Sequence, residues 1–218
     1  MSDTSSLIEP ADSVDAEEAP AARKRPKPGE RRVQILQALA AMLEQPGAER
    51  ITTAALAARL SVSEAALYRH FASKAQMFEA VIDFIESSVF GLINQIGERE
   101  PAGRARAARI VAMVLQFGEK NPGMARVMVG DALVFEHQRL QQRMNQFFDK
   151  LDAALRQSLR DGALADAAEP ATLTPDADAR VRASVLTAFV AGRLQRFARS
   201  GFRRAPSEQL GACIARML

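Results

Sequence analysis

Cysteine, tryptophan and histidine are almost missing from this chain: its 218 residues include one Cys, no Trp and two His. The lone thiol, Cys213, excludes an internal disulfide framework and a Cys-rich metal site, which suits a reducing cytoplasm. His70 and His137 lie far apart in sequence and have no partners at metal-ligand spacing. A Gly-rich phosphate loop and a nucleophile motif are also absent. The chain is therefore not read as an enzyme, and no metal, cofactor or catalytic residue is expected. No apolar run approaches the ~20 residues that a membrane span needs. The N-terminus is acidic and lacks the basic-then-apolar order of a signal peptide, so a cytoplasmic location is expected. Strand formers are scarce while Ala, Leu, Arg, Gln and Glu dominate, which predicts an all-α fold.

The net charge is only +3, but it is unevenly spread. Every charge from Met1 to Ala22 is negative. Between Arg23 and Arg32 stand Arg23, Lys24, Arg25, Lys27, Arg31 and Arg32, against Glu30 alone. The acidic stretch has no apolar periodicity and reads as disordered. The basic stretch is either a solvated linker or an arm that meets phosphate. The expected organisation is a disordered tail over 1–29, a helix-turn-helix DNA-binding domain over 30–75, and a helical dimerisation and partner-binding domain over 76–218.

Apolar spacing predicts a first helix from Glu30 to about Gln45, with Val33, Leu36, Ala40 and Leu43 on its stripe and Ile35, Leu39 and Met42 widening it, ended by Pro46 and Gly47. The stretch from Thr52 to Phe71, TTAALAARLSVSEAALYRHF, reads as two short helices around a tight turn. Thr52 and Thr53 are candidate caps of the first, Ser63 of the second, and Val62 is an apolar plug between them. Leu67 and Phe71 stand four apart and face the core. The long helices that follow are expected over Lys74–Ile96, Arg104–Lys120, Phe135–Leu159 and Pro175–Ser200. Shorter ones are expected over Met124–Gly130 and Pro206–Met217, with a flexible loop over Gly162–Thr174.

The outer face of the helix after Ser63 is the candidate DNA reader. Ala65 and Ala66 are small enough to let a helix approach base edges. Arg69 can reach a guanine or a phosphate, and Tyr68 and His70 are placed for phosphate or sugar. Lys74 opens a helix, where its ammonium and the free N–H groups together suit a phosphate, as do Thr52 and Thr53 one helix earlier. Alternatives stay open: Tyr68 as a half-buried packing residue, His70 as a capping or packing residue, Thr53 as a cap only. Val181, Val185, Leu186, Phe189, Val190 and Leu194 make the penultimate helix a candidate homodimer element, through a four-helix bundle, or else a core helix.

The pattern of Thr52, Ala57, Val62, Tyr68, Phe71 and Lys74 resembles the DNA-binding domain of TetR-type regulators. Ser61 departs from it: the usual residue is Gly, and a left-handed Ser costs about 1 kcal/mol. FGEKNPG at Phe117–Gly123 and the helix from Phe135 narrow the resemblance to the nucleoid occlusion branch of that family. The resemblance implies a homodimer on palindromic double-stranded DNA that antagonises cell division. It also implies a protein partner, the C-terminal tail of the tubulin-like division protein FtsZ, bound in a groove between the fourth and fifth helices. Phe84, Lys120 and Asn121 match that groove, whereas Leu92 and Gln116 stand where Arg and Gly are expected. The competing reading is a ligand-responsive TetR-type repressor, which predicts an enclosed cavity of roughly 300–1,000 Å³. On the first reading a small-molecule ligand is not expected.

Overall fold

The computed structural model describes residues 29–45, 51–163 and 174–218. The acidic and basic stretches before Gly29, the stop at Pro46 and Gly47 and most of the loop around Pro170 lie outside the described residues. Among the described residues all regular structure is helical: α1 Glu30–Leu43, α2 Thr53–Arg59, α3 Glu64–Tyr68, α4 Lys74–Arg99, α5 Arg104–Lys120, α6 Pro122–Met128, a 3-10 turn Asp131–Leu133, α7 Gln138–Ala163, α8 Pro175–Arg199 and α9 Leu210–Met217.

The first three helices close around Ile35, Leu39, Leu43, Leu56, Ala57, Leu67 and Phe71, all buried. Ile35, Leu39 and Leu43 recur every four residues and set the inner face of α1. The expected stripe through Val33 is therefore corrected, since Val33 faces solvent. Helix α3 is also shorter than expected. His70 donates its N–H to Leu67 O in a tight turn, and Arg69 and His70 lie beyond the helix. Helix α4 then carries Met77, Phe78, Val81, Ile82, Ile85, Val89 and Ile93 as one buried face into the second half of the molecule.

That second half is a bundle in which α5 and α7 pack on α8 and α4 packs on α5 and α7. Ile110, Val111, Val114 and Leu115 of α5 meet Leu151, Leu155, Leu186, Val190 and Leu194 in a core with almost no exposure. The apolar stripe of α8 is thus split. Leu186, Val190 and Leu194 belong to the protomer's own core, while Val181 and Val185 remain exposed. Burying those three leaves only Val181, Val185 and half-buried Phe189 for a second copy.

Helix α6 fastens the two halves together. Pro122 starts it, its missing N–H costing nothing at a first helical position. A Cβ on Gly123 would stand 2.2 Å from the carbonyl oxygen of Ala40 in α1, so only glycine permits this approach. From the same helix Arg126 donates to the carbonyls of Leu43 at 3.2 Å and Gln45 at 3.1 Å. These are the orphan acceptors at the end of α1. Charge pairs join α4 to α7: Arg139 to Glu79 at 2.7 Å, and Arg143 to Asp83 at 2.8 Å and to Glu86. Burial opposes the charge of Arg143, but the hydrogen bonds it donates to Asp83 and Glu86, together with their negative charge, outweigh it and raise its pKa above the ordinary value.

Candidate nucleic-acid interface

The turn between α2 and α3 is built by hydrogen bonding that the sequence encodes locally. Ser61 donates its N–H to Ala58 O and Val62 to Ala57 O, both at 3.0 Å. This pair of bonds is the Schellman arrangement, which requires a left-handed residue at 61. Ser61 adopts φ +52°. Val62 then tucks, half-buried, against the core, the plug its position predicts.

Each candidate reader residue has a definite place. Thr52 is the N-cap of α2, its hydroxyl accepting from Ala55 N at 3.1 Å. Thr53 is the first helical residue, and its Oγ1 donates to Glu64 Oε2 at 2.6 Å, tying α2 to α3. Its hydroxyl is thus engaged between the helices rather than capping. Ser63 caps α3, accepting from Ala66 N at 3.3 Å. Such caps contribute about 1 kcal/mol each. On the outer side of α3, Ala65 is exposed and Ala66 half-buried, while Leu67 faces inward. Tyr68 is 45% exposed, leaving nearly half of its surface open. Arg69 and His70 are both exposed. The His70 carbonyl accepts from Arg32 Nη1 at 3.0 Å. Arg32 also stacks over Phe71 at 4.1 Å. Arg32, counted in sequence with the basic arm, thus fixes the end of α3 instead.

Lys74 begins α4 behind the cap Ser73, whose hydroxyl accepts from Gln76 N at 3.2 Å. Its ammonium is ion-paired with Glu136 and lies 5.7 Å from the centre of the Phe78 ring. Sequence reasoning missed Glu136, and no local signal announces a partner 62 positions away.

The second surface lies on α4 and α5. Phe84 is 51% exposed, which excludes a core role, and Leu92 and Gln116 are exposed too. Lys120 is exposed at the C-terminal end of α5, where a cation complements the helix dipole. Asn121 is half-buried between α5 and α6, and its Nδ2 donates to Phe117 O at 2.8 Å. An open cleft of about 380 Å³ lies elsewhere, lined by Met128, Asp131, Gln141, Met144, Asn145 and Phe148 among others. Among the described residues no group of three His, Cys, Asp or Glu could hold a metal, and no helix is long and apolar enough to cross a membrane.

A capped helix-turn-helix with an exposed outer face, joined by a long helix to a helical bundle, defines a TetR-type DNA-binding regulator. Residues 35–81 match the bacterial regulatory proteins of the tetR family. Residues 103–215 match the tetracyclin repressor-like C-terminal domain in its SlmA-like form. The MbdR regulator from Azoarcus sp. CIB superposes with a TM-score of 0.67 at 15% identity, covering 85% of this chain and 96% of that one, a likeness of fold. Nucleoid occlusion factor SlmA of Idiomarina loihiensis is 46% identical over 182 residues, 84% of this chain and 90% of the relative. That of Escherichia coli O1:K1 is 47% identical over 192 residues, 88% and 94% of the two chains. The chain belongs to the SlmA family of nucleoid occlusion factors, DNA-binding regulators rather than enzymes.

Proposed function

We propose that this protein sits on palindromic chromosomal sites as a homodimer, binds the C-terminal tail of FtsZ, and so opposes Z-ring assembly over the nucleoid. The observation that carries the reading is a pair of exposed side chains on neighbouring helices, Phe84 on α4 and Lys120 on α5. They offer an apolar contact and a cation to an extended acidic peptide. Lys120 has no ion-pair partner among the described residues, so its charge is available to one. Asn121 contributes its remaining amide oxygen, its Nδ2 being held by Phe117 O. Leu92 and Gln116 shape the same surface, so tail affinity differs from that of relatives with Arg and Gly there.

On the DNA side, Thr52, Tyr68, Arg69, His70 and Lys74 seat phosphates, while Ala65 and Ala66 let α3 approach the base edges. Thr53 and Ser63 act by fixing α2 and α3. Val181, Val185 and Phe189 of α8 supply the surface for the second protomer, whose reading helix meets the other half-site.

Two variants separate the surfaces. Tyr68→Phe removes one hydroxyl donor to a charged group and weakens operator binding about tenfold. Lys120→Ala lowers affinity for an FtsZ-tail peptide at least about tenfold and leaves operator affinity within about twofold. Both are read by fluorescence anisotropy. Unchanged operator binding in Tyr68→Phe removes Tyr68 from the interface. A tail peptide that fails to bind even the unsubstituted protein removes the division role and favours the ligand-responsive repressor.

A further inference from the structure

The same ammonium that is placed for DNA is already occupied within the chain. Lys74 is the first residue of α4, where the positive end of the helix dipole makes an unpaired cation unfavourable. Glu136 supplies the missing anion across the domain junction, and both side chains are largely sheltered, 26% and 10% exposed. The carboxylate is delivered by the short segment between the 3-10 turn and α7. Its N–H donates to Leu133 O at 3.0 Å, and the two residues before it, Val134 and Phe135, are 60% and 68% exposed.

We propose that Glu136 is an internal competitor for phosphate at Lys74, and that its displacement by DNA sets operator affinity and frees the Val134–Glu136 segment. The inference rests on Lys74 meeting DNA phosphate, as assigned under the proposed function. A phosphate arriving at Lys74 with the carboxylate still bound would face a like charge a few ångströms away. One anion has to yield, and the phosphate is held by neighbouring groups as well. Operator binding therefore releases Glu136, and part of the Lys74 contact is offset by the lost ion pair. Glu136 acts through Lys74, as a positioning residue that never touches DNA.

The test is a double-mutant cycle on the full chain, with operator affinity measured at ~0.1 M salt. Glu136→Gln binds about three- to fivefold more tightly than the unsubstituted protein, the equivalent of a partly exposed ion pair. In a Lys74→Ala background the same change has no effect. Glu98→Gln controls for simple loss of negative charge. Glu98 is exposed and lies 24 residues along α4, about 36 Å away and beyond the ~10 Å screening length, so this variant is neutral. Because the chain has no Trp, Phe135→Trp installs a single reporter at an exposed position. Its emission shifts when operator binds, and the shift disappears in Lys74→Ala. If Lys74→Ala weakens binding but Glu136→Gln is neutral or weaker, the competition is refuted while Lys74 keeps its phosphate. If Lys74→Ala changes nothing, the DNA contact itself is wrong and the competition falls with it.

Discussion

Ser61 holds a left-handed backbone, φ +52°, at the one position of the reading head where glycine is the natural choice. The side chain is exposed, and its hydroxyl makes no hydrogen bond among the described residues. Ser61→Gly should therefore raise unfolding stability by about 1 kcal/mol, measured by urea titration. A loss of stability would mean that the hydroxyl has a role the geometry does not reveal. Residues whose work is local were legible in the sequence. Thr52, Ser63 and Val62 act within a few positions of themselves, and cap and turn chemistry announces them. Thr53, Arg32 and Lys74 were only half legible, because their partners, Glu64, His70 and Glu136, come from other elements. Residue type says that an ammonium needs an anion but not which carboxylate the fold will bring.

Helix boundaries follow the same division. Helix α5 begins and ends where its sequence signals place it, between Gly103 and Asn121. Helix α7 starts three residues later than Phe135, because the 3-10 turn intervenes and His137 caps it, its Nδ1 accepting from Arg139 N at 3.3 Å. Helix α6 starts two residues earlier than Met124, at Pro122, so that Asn121 alone separates it from α5. That early start gives the FGEKNPG motif a structural reason: Gly123 is where α6 touches the backbone of α1. Gly123→Ala should destabilise the protein by about 2 kcal/mol or more, because the atom in the way is a backbone carbonyl. Gly91→Ala, in helical α4 with nothing within 4 Å of the added carbon, should be neutral or stabilising. Equal effects in the two variants, read by thermal or urea unfolding, would show that the α1–α6 contact is dispensable.

Across the whole molecule, α4 joins what the two halves do. It opens with Lys74, the proposed phosphate contact, and carries Phe84 ten residues later, about 15 Å along the axis. Charge pairs to α7 and the wedge of α6 hold that helix against both halves. The reading head and the Phe84–Lys120 surface therefore belong to one packed unit. The cleft beside Asp131 opens to solvent. The reading head alone would suit any regulator of its class. On the proposed function, what separates this chain from a repressor is the second surface.

The most direct measurement is a titration of labelled FtsZ-tail peptide with the protein already saturated on operator DNA. Saturable binding that Lys120→Ala abolishes without releasing the DNA is the predicted result. A peptide that stays free in the presence of the operator-bound protein, and equally without DNA, contradicts it.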